Sequence, residues 1–344
     1  MKTLAAIMFG TNTDLVIEQL EIPKLKYGQV LVKIKYSGLC GTQLSEMNGN
    51  KGKDNWLPHC LGHEGTGIVM EIGEGVSRFK KDDKVVLSWI KSNGIEAGGS
   101  HYKLNDKIVN AGPVTTLQEY AVVSENRLSI QPEELDDISS VLLGCAAPTG
   151  MGSIYNILNL DENSKVIIFG AGGVGLCASL ACKSCNPKEI LFIEPNKKRR
   201  ELALEFGATR VLDPNTTEFS HIFDSELFER FNFAIEASGR IECIEHSSKV
   251  IKQQGGKTII IGNAPYGSEI KINPEIFNKG KSIIGTWGGD TVPERDLKKY
   301  TSLILENKYI LNSLLSRPYL LKEINKAIKH FSEGSIGRPI ISMI

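Results

Sequence analysis

An apolar strand followed at once by a glycine-rich turn and a helix constrains the fold of this chain most. Residues 166–169 form a continuous apolar run, which is typical of a strand buried on both faces. Gly170, Gly172 and Gly175 follow in the spacing G-x-G-x-x-G, and we predict a helix over about 173–185. In this setting the glycines permit a tight turn, close approach of a pyrophosphate and close helix packing. The free N–H groups of the helix N-terminus favour phosphate, so the pattern predicts a dinucleotide site.

From about Thr149 onward, predicted strands and helices alternate, which favours an open, doubly wound α/β sheet. The further strands are predicted at 190–193, 231–236, 258–261 and 282–285, and the helices at 197–206 and 241–254.

The first ~145 residues follow a different pattern, that of strands joined by glycine-rich turns. Residues 29–36 alternate between apolar side chains and lysines, as a half-buried strand does. The pattern as a whole predicts an all-β, barrel-like unit, with further strands at 66–72, 83–89 and 118–124. We expect the helices and final strand (339–343) that follow Trp287 to pack back on this unit.

Composition restricts the partners of the chain. The 344 residues suffice for two domains, and 40 Lys and Arg balance 40 Asp and Glu. The sequence has no basic stripe, which argues against nucleic acid as a partner. It also has no apolar run that approaches the ~20 residues of a membrane span. The number of cysteines, seven, is odd, so burial and metal binding explain these residues better than disulfides do. We expect a cytoplasmic protein.

An acidic residue lies where it would select the dinucleotide. Glu194 follows the next predicted strand, about 20 residues past the glycine turn. A carboxylate there accepts hydrogen bonds from ribose hydroxyls and repels a 2′-phosphate, which favours NAD over NADP. The alternative is a surface glutamate without a ligand. The basic run 197–200 includes Arg199, which could tolerate a phosphate and leaves NADP open.

Cys40, His63 and Cys145 each lie within a glycine-rich segment: GLCGT, GHEGTG and GCAAPTGMG. Two thiolates and one imidazole suit a zinc ion whose fourth position stays open. No short-range pattern links the three residues, and a cysteine taken alone is most often a small buried apolar residue. Their glycine-rich settings favour the metal hypothesis.

These segments, together with GVSRFKKDDKVV, TTLQEYAVV, GAGGVG, EASGR, GTWGG and LLKEINKAI, resemble the zinc-dependent alcohol dehydrogenases of the medium-chain dehydrogenase/reductase superfamily. The resemblance runs through nearly the whole chain. It implies a barrel-like, GroES-like catalytic domain (1–147 and 288–344) and a doubly wound Rossmann domain (148–287), with the C-terminal tail returning to the catalytic domain.

The resemblance also implies roles for single residues. Cys40, His63 and Cys145 would hold one catalytic zinc, and Glu64 would be a nearby acid able to act as an alternate ligand. Thr42 would accept the proton of the alcohol, and Ser45 stands where some relatives have a relay histidine. The implied cofactor contacts are Thr149, Gly170, Gly172, Gly173, Val174, Gly175, Glu194, Arg199, Ala237, Ser238, Ile261, Asn263 and, for pyrophosphate, Arg338.

The implied activity is hydride transfer between NAD and a small-molecule alcohol, or its aldehyde or ketone. A polyol or sugar-derivative dehydrogenase on the same scaffold is an alternative, and a non-catalytic nucleotide-binding protein is a remote one. Relatives further imply a homodimer or tetramer. For the substrate pocket, Trp56, Trp89 and Asn263 are candidates, and a cleft asparagine favours a polar alcohol.

Two departures from the family pattern carry expectations of their own. The stretch at about 91–112, which holds a four-cysteine structural zinc in many relatives, contains no cysteine. We expect no structural zinc, and packing by Ile95, His101, Tyr102 and Leu104 in its place. Gln43 replaces an aspartate that hydrogen-bonds the zinc histidine in relatives, and we expect its amide oxygen to accept the same bond.

Overall fold

The computed structural model describes residues 1–334 and 337–343 and divides the chain into two compact units. Unit 1 comprises Met1–Cys145 and Val292–Ile344, and unit 2 comprises Ala146–Thr291. The chain therefore leaves unit 1 directly after one candidate zinc ligand and returns to it for its C-terminal segment.

Unit 1 is largely antiparallel β-structure. In the first part of this unit the strands are β1 (Lys2–Met8), β2 (Val16–Glu21), β3 (Gln29–Gly38), β4 (His59–Cys60), β5 (Glu64–Ile72), β6 (Lys84–Ser88), β7 (Ser100–Leu104), β8 (Lys107–Ala111), β9 (Tyr120–Ser124) and β10 (Leu128–Ile130). The helices are α1 (Gly41–Met47) and α2 (Asp137–Ser140), with 3₁₀ turns at Glu125–Arg127 and Val141–Gly144.

The alternation of apolar and lysine side chains predicted for residues 29–36 is found in β3, the central strand of this unit. In β3, Val30, Val32 and Ile34 are fully buried, whereas Lys33 between them is exposed. The strands β1-β2-β7-β8-β4 close into a barrel, which confirms the barrel-like prediction.

Unit 2 is a six-stranded sheet flanked by helices. Its strands are β11 (Lys165–Phe169), β12 (Glu189–Ile193), β13 (Arg210–Leu212), β14 (Phe233–Glu236), β15 (Lys257–Ile260) and β16 (Ser282–Gly285). Its helices are α3 (Ala146–Tyr155), α4 (Gly173–Ser184), α5 (Lys197–Glu205), α6 (Phe219–Ile222), α7 (Ile241–Val250) and α8 (Glu275–Asn278), with a π-helical turn at Phe223–Leu227 and a 3₁₀ turn at Gly288–Asp290.

All five strand pairs of this sheet are parallel, in the order β13-β12-β11-β14-β15-β16. The chain starts at the central strand β11, builds outward to β13, and then continues from β14 on the other side. This reversal of strand order is the topological switch point, outside whose carboxyl ends ligands bind in open α/β sheets. The predicted doubly wound sheet is confirmed; the short strand β13 is an addition to it.

The C-terminal segment returns to unit 1, as expected. It contains α9 (Pro293–Glu306), α10 (Lys308–Leu314), β17 (Tyr319–Leu320), a 3₁₀ turn at Leu321–Glu323, α11 (Ile324–Ser332) and β18 (Ile340–Ser342). Strand β18 pairs antiparallel with β3, placing Ile340 opposite Gly38. The sheet of unit 1 then runs β10-β6-β5-β3-β18-β17, with β9 also paired to β3. Apolar side chains of α11, including Ile324 and Ala327, join one buried cluster with Leu39 and Met47.

Within the described part of the chain, no single helix is long and apolar enough to cross a membrane. Only the bent pair Asp137–Gly144 and Ala146–Tyr155, taken together, reaches such a length and composition.

The cysteine-free stretch at 91–112 forms the β7–β8 hairpin and its approach. Tyr102 is fully buried there, and its hydroxyl accepts hydrogen bonds from the Val122 N–H (2.7 Å) and the Gln118 side-chain amide (3.0 Å). Tyr102 thus packs as expected. His101 instead lies exposed, with Nδ1 3.0 Å from Asn110 Oδ1, so it contributes little to the core.

Glu125 fixes the segment that leads into this hairpin by hydrogen bonds to its backbone. Its carboxylate accepts backbone hydrogen bonds, each of 2.9 Å, from Ser77, Arg78 and Ile95, and the residue is 1% exposed. Burial opposes ionisation of the carboxyl group, but the N–H groups of Arg78, Ser77 and Ile95 together hold the pKa of Glu125 below its ordinary value. A hydrogen-bonded carboxylate therefore joins the 91–112 stretch, at Ile95, to the segment that contains Ser77 and Arg78.

We predict that Glu125→Gln lowers the free energy of unfolding of the metal-free protein at pH 7 by roughly 1–2 kcal/mol, because the charge that strengthens these hydrogen bonds is lost. Because the folded-state pKa is depressed, this stabilisation is present above the unfolded pKa of about 4.3 and is lost as the pH falls through the folded value. Urea unfolding at pH 7 and at lower pH measures the difference, which should shrink on acidification. The exposed Glu74→Gln is the control, and equal midpoints for the two variants at pH 7 would contradict the role of Glu125.

Candidate metal centre and nucleotide-binding turn

The structure brings Cys40, His63 and Cys145 together within unit 1. Cys40 is the N-cap of α1, His63 directly precedes β5, and Cys145 follows the 3₁₀ turn Val141–Gly144. One ligand atom from each residue lies within 4.8 Å of the others, and both cysteines are at most 6% exposed.

The spacing of the two sulfurs fits zinc. Cys40 Sγ and Cys145 Sγ are 3.9 Å apart. Two Zn–S bonds of ~2.3 Å at a tetrahedral angle place their sulfurs about 3.8 Å apart. The donor set, the burial and this distance all suit a zinc ion with three protein ligands and one open position.

The two thiols interact strongly. The hydrogen bond from Cys145 holds the pKa of the Cys40 thiol well below its ordinary value, and the same contact, together with burial, raises the pKa of Cys145. A cation that binds both sulfurs would favour the deprotonated form of each. Cys60 differs, because burial raises the pKa of its thiol to about 12 without such a partner.

Behind the ligands lies a buried ion pair between Glu64 and Arg338. Glu64 is 0% exposed and Arg338 is 2% exposed, and the guanidinium donates a short hydrogen bond to Glu64 Oε2. Burial raises the pKa of Glu64, and the positive charge of Arg338 opposes this. Glu64 Oε1 has no partner among the described residues, as an alternate metal ligand requires.

This ion pair gives Arg338 a partner within unit 1. The guanidinium is buried there and its charge is directed to Glu64, and the pyrophosphate contact expected from the sequence stays a prediction. Burial alone would lower the pKa of Arg338, yet the Glu64 carboxylate and the two thiols raise it well above its ordinary value. Its interaction in this structure is with the metal centre.

Two glycines flank the ligand cysteines because Glu64 packs against them. A Cβ added to Gly38 would lie 2.4 Å from Glu64 Oε1, and one added to Gly144 would lie 2.5 Å from the carbonyl oxygen of Leu87 and 2.8 Å from Glu64 Cβ. Neither position has room for a side chain. The glycine-rich setting noted in the sequence thus follows from the close packing around this acid.

Gln43 does not make the bond expected of it. Its Oε1 accepts the Cys40 N–H at 2.8 Å, and its Nε2 is buried without a partner among the described residues. Among the described residues this oxygen accepts only the Cys40 N–H, so the bond from His63 that the sequence led us to expect is not present in the structure. Thr42 and Ser45 lie one turn apart on the same helix.

In unit 2, the glycine turn lies between β11 and α4, as predicted. Gly170 has φ +96°, and a Cβ on Gly175 would lie 2.2 Å from the Gly170 carbonyl oxygen. A Cβ on Gly172 would meet nothing within 4 Å, so open space lies beside the turn, where a pyrophosphate fits. Gly173 and Val174 open α4 and contribute its first N–H groups.

Glu194 faces this turn. It follows β12, is 4% exposed, and accepts hydrogen bonds from the N–H groups of Ala171 (2.8 Å) and Asn196 (2.9 Å). Glu194 is therefore buried and not at the surface, and its carboxylate is tied to the backbone of the glycine turn. Arg199 lies in the first turn of α5, which Asn196 caps.

The other predicted cofactor residues of unit 2 occupy the same carboxyl edge of the sheet. Ala237 and Ser238 follow β14, and Ile261 and Asn263 follow β15. Thr149 lies in α3, 7% exposed, and its hydroxyl has no partner among the described residues.

Sequence reasoning missed Glu236, which shapes this edge. Its fully buried carboxylate accepts hydrogen bonds from the Ser238 N–H (2.8 Å) and Gly239 N–H (3.0 Å), and burial raises its pKa. The only sequence signal was its place at the end of a predicted buried strand, where an acid is unusual.

A cavity of about 690 Å³ lies within unit 1, and His63 and Gln43 belong to its wall. The predicted pocket residue Trp56 also lines it and is 69% exposed. Trp89 lies directly after β6, where its carbonyl oxygen accepts a hydrogen bond from Arg127, and it is not among the cavity residues. The volume is ordinary for a small-molecule site.

Comparison with known proteins agrees with this geometry. Residues 26–133 match the model described as alcohol dehydrogenase GroES-like domain, and residues 173–306 match that of zinc-binding dehydrogenase. The chain belongs to the zinc-dependent alcohol dehydrogenase family. It is thereby a member of the medium-chain dehydrogenase/reductase superfamily.

Individual members of this family are similar over their whole length. An alcohol dehydrogenase 6 from Peromyscus maniculatus is 27% identical, with 98% of this chain and 96% of that protein covered. An S-(hydroxymethyl)glutathione dehydrogenase from Photobacterium damsela subsp. piscicida is 28% identical, with 99% and 100% covered. The crystal structure of benzyl alcohol dehydrogenase from Acinetobacter calcoaceticus superposes with a TM-score of 0.87 at 26% identity, covering all of both chains.

We predict that Cys145→Ser removes about one tightly held zinc per chain, because a hydroxyl is a far weaker zinc ligand than a thiolate. Elemental analysis after dialysis against zinc-free buffer measures this loss. Cys182→Ser, which changes a buried thiol of α4 outside the cluster, should retain the metal. Equal zinc content in both variants would show that the cysteine pair does not bind the ion.

Proposed function

We propose that this protein is an NAD-dependent zinc oxidoreductase that transfers a hydride between a polar small-molecule alcohol and its aldehyde or ketone. The observation that carries the proposal is the convergence of Cys40, Cys145 and His63 in a family whose model is that of a zinc-binding dehydrogenase. A sulfur separation of 3.9 Å matches what zinc imposes.

Residues of unit 1 would have separate roles at such a centre. When bound, zinc supplies a Lewis acid that polarises the alcohol oxygen, and NAD supplies the hydride acceptor. Cys40, Cys145 and His63 would hold the metal, and Glu64 offers one free carboxylate oxygen beside them. Arg338 neutralises Glu64, so the net negative charge at the centre comes mainly from the two thiolates.

Thr42 is the proposed acceptor of the alcohol proton. It follows Cys40 closely on α1, and Ser45 lies one turn further along the same helix. A hydroxyl both accepts and donates hydrogen bonds, so Thr42 can take a proton and pass another on. Ser45 can pass a proton to water but cannot store it near neutral pH, as the histidine of some relatives does.

Unit 2 is the proposed NAD domain. The glycine turn and the N-terminus of α4 would bind the pyrophosphate, and Glu194 would accept hydrogen bonds from the ribose hydroxyls. The burial of Glu194 next to the turn supports NAD over NADP, because a 2′-phosphate would meet a carboxylate fixed by two N–H groups.

The wall of the unit 1 cavity supports a polar substrate. Lys51, Lys53, Asp54, His101 and Asn110 all line it. Such a wall can hydrogen-bond several hydroxyl groups, which favours a polyol or sugar derivative within the proposed class of alcohols. An unbranched alkyl alcohol would offer this wall only its single hydroxyl group.

We further propose one catalytic zinc per chain, no four-cysteine structural zinc, a cytoplasmic location and a homodimer or tetramer. The cysteine-free stretch 91–112 supports the absence of a structural zinc, since the carboxylate of Glu125 binds its backbone at Ile95. The position of β16 at one edge of the unit 2 sheet supports pairing between copies.

The test is a panel of simple alcohols, aromatic alcohols, polyols and sugars with zinc-loaded protein and NAD, followed by nicotinamide absorbance. We expect turnover with the polar members, and loss of that turnover in Cys145→Ser but not in Cys182→Ser. Tight NADH binding without turnover of any member would favour the non-catalytic alternative.

We predict that Glu194→Gln lowers the ratio of NADH affinity to NADPH affinity by roughly tenfold, or about 1.4 kcal/mol, because repulsion of the 2′-phosphate is lost. Nicotinamide fluorescence titration measures both affinities without knowledge of the substrate. Glu201→Gln, an exposed change on α5, should leave the ratio unchanged. A wild-type protein that binds NADPH more tightly than NADH would refute the assignment of Glu194.

A further inference from the structure

Three side chains that are not part of the candidate zinc centre converge on the wall of the unit 1 cavity. Glu46 lies on α1, Asp54 lies in the loop that follows it, and His59 opens β4. One ligand atom from each lies within 4.8 Å of the others. The cluster shares no residue with the Cys40, His63 and Cys145 centre.

Both ring nitrogens of His59 face oxygen acceptors. Nδ1 lies 3.1 Å from the carbonyl oxygen of Cys60, and Nε2 lies 2.8 Å from Asp54 Oδ2. A carbonyl oxygen only accepts hydrogen bonds, so Nδ1 donates to Cys60. The 2.8 Å distance between Nε2 and Asp54 Oδ2 is that of a hydrogen bond, in which one proton joins the two atoms. A divalent cation that displaces this proton gains both atoms as ligands. In metal sites a histidine is commonly oriented by this type of bond from its other nitrogen.

Asp54 is fixed in place as a carboxylate. Its Oδ1 accepts the Trp56 N–H at 2.8 Å, which leaves Oδ2 directed at His59. Burial works against its charge, but the hydrogen bonds from Trp56 and His59 lower the pKa of Asp54. The side chains of His59 and Asp54 are only 9% and 13% exposed, so bulk water screens this pair weakly.

Glu46 supplies a second negative charge that is less constrained. Its side chain is 28% exposed and lies 3.3 Å from Lys51 Nζ, whose own side chain is 44% exposed. A surface pair of this kind contributes little, so a multivalent cation can displace the lysine.

The same cavity contains a buried donor without a partner. Gln43 Nε2 makes no hydrogen bond among the described residues, although Gln43 is 2% exposed and lines the cavity with Glu46, one turn away on α1. An orphaned buried donor costs free energy unless a ligand in the cavity satisfies it. This wall is therefore built to hold a polar occupant that carries oxygen atoms.

We propose that Glu46, Asp54 and His59 form a second metal site that binds a divalent transition-metal cation. One imidazole and two carboxylates suit Zn²⁺, Co²⁺ or Mn²⁺, and the two carboxylates balance the charge of the ion. Bonds of ~2.1 Å at a tetrahedral angle require ligand atoms about 3.4 Å apart, so small side-chain shifts suffice to close the site. The remaining coordination positions face the cavity and take water.

The test uses protein given one equivalent of zinc per chain, which the two thiolates of the cysteine centre take first, and Mn²⁺ as the probe. Sulfur ligands bind Mn²⁺ poorly, so electron paramagnetic resonance of free Mn²⁺ counts only nitrogen and oxygen sites. We expect one Mn²⁺ per chain in the wild type. Co²⁺ at this site should give weak absorption bands without the sulfur-to-cobalt charge transfer of the cysteine centre.

The variants His59→Gln, Asp54→Asn and Glu46→Gln should each weaken Mn²⁺ binding at least tenfold. His101→Gln is the matched control, because it removes a histidine of the same cavity that lies outside the cluster. The partly exposed Glu46→Gln keeps the test decisive if a buried variant fails to fold. Absence of the bound Mn²⁺ in the wild type, or equal binding by Glu46→Gln and wild type, would overturn the proposal. Unchanged Mn²⁺ binding in Cys145→Ser would show that this site is independent of the proposed catalytic centre.

Discussion

The ion pair between Glu64 and Arg338 is the interaction on which unit 1 depends. It lies almost without solvent contact beside the candidate zinc ligands, at the point where segments distant in sequence meet. Glu64 opens β5 directly after His63, and Arg338 lies two residues before β18. Leaving either charge unpaired in such a setting costs roughly 3–5 kcal/mol. The C-terminal segment is therefore held against the metal centre by charge as well as by its strand.

Backbone contacts strengthen this link. The Leu39 N–H donates to the carbonyl oxygen of Pro339 at 3.0 Å, and β18 pairs with the end of β3 directly before Cys40. The position of Cys40 thus depends on the last residues of the chain. Glycine at 38 and 144 is a consequence, because the buried acid and the neighbouring backbone occupy the space that side chains would need.

The cysteine-free stretch 91–112 is held in unit 1 by hydrogen bonds and packing. Glu125 ties the 91–112 stretch through three backbone N–H groups, and Tyr102 anchors its hairpin in the core. Neither interaction depends on a metal. The same loop region borders the polar cavity, together with His101 and Asn110. The 91–112 stretch therefore also contributes to the wall of a candidate binding site.

The sequence by itself determined the class of fold and singled out the three candidate zinc ligands. Burial on both faces leaves an unbroken apolar run in β11, and a tight turn beside phosphate requires glycine at 170 and 175, so these features are visible locally. Only the tertiary structure decided what Gln43 bonds to, where Arg338 directs its charge, and that Glu46, Asp54 and His59 meet at one cavity. The reason is physical. Periodicity and backbone sterics act between neighbours in the chain, whereas a hydrogen-bond or ion-pair partner is chosen by packing between segments that can lie hundreds of residues apart.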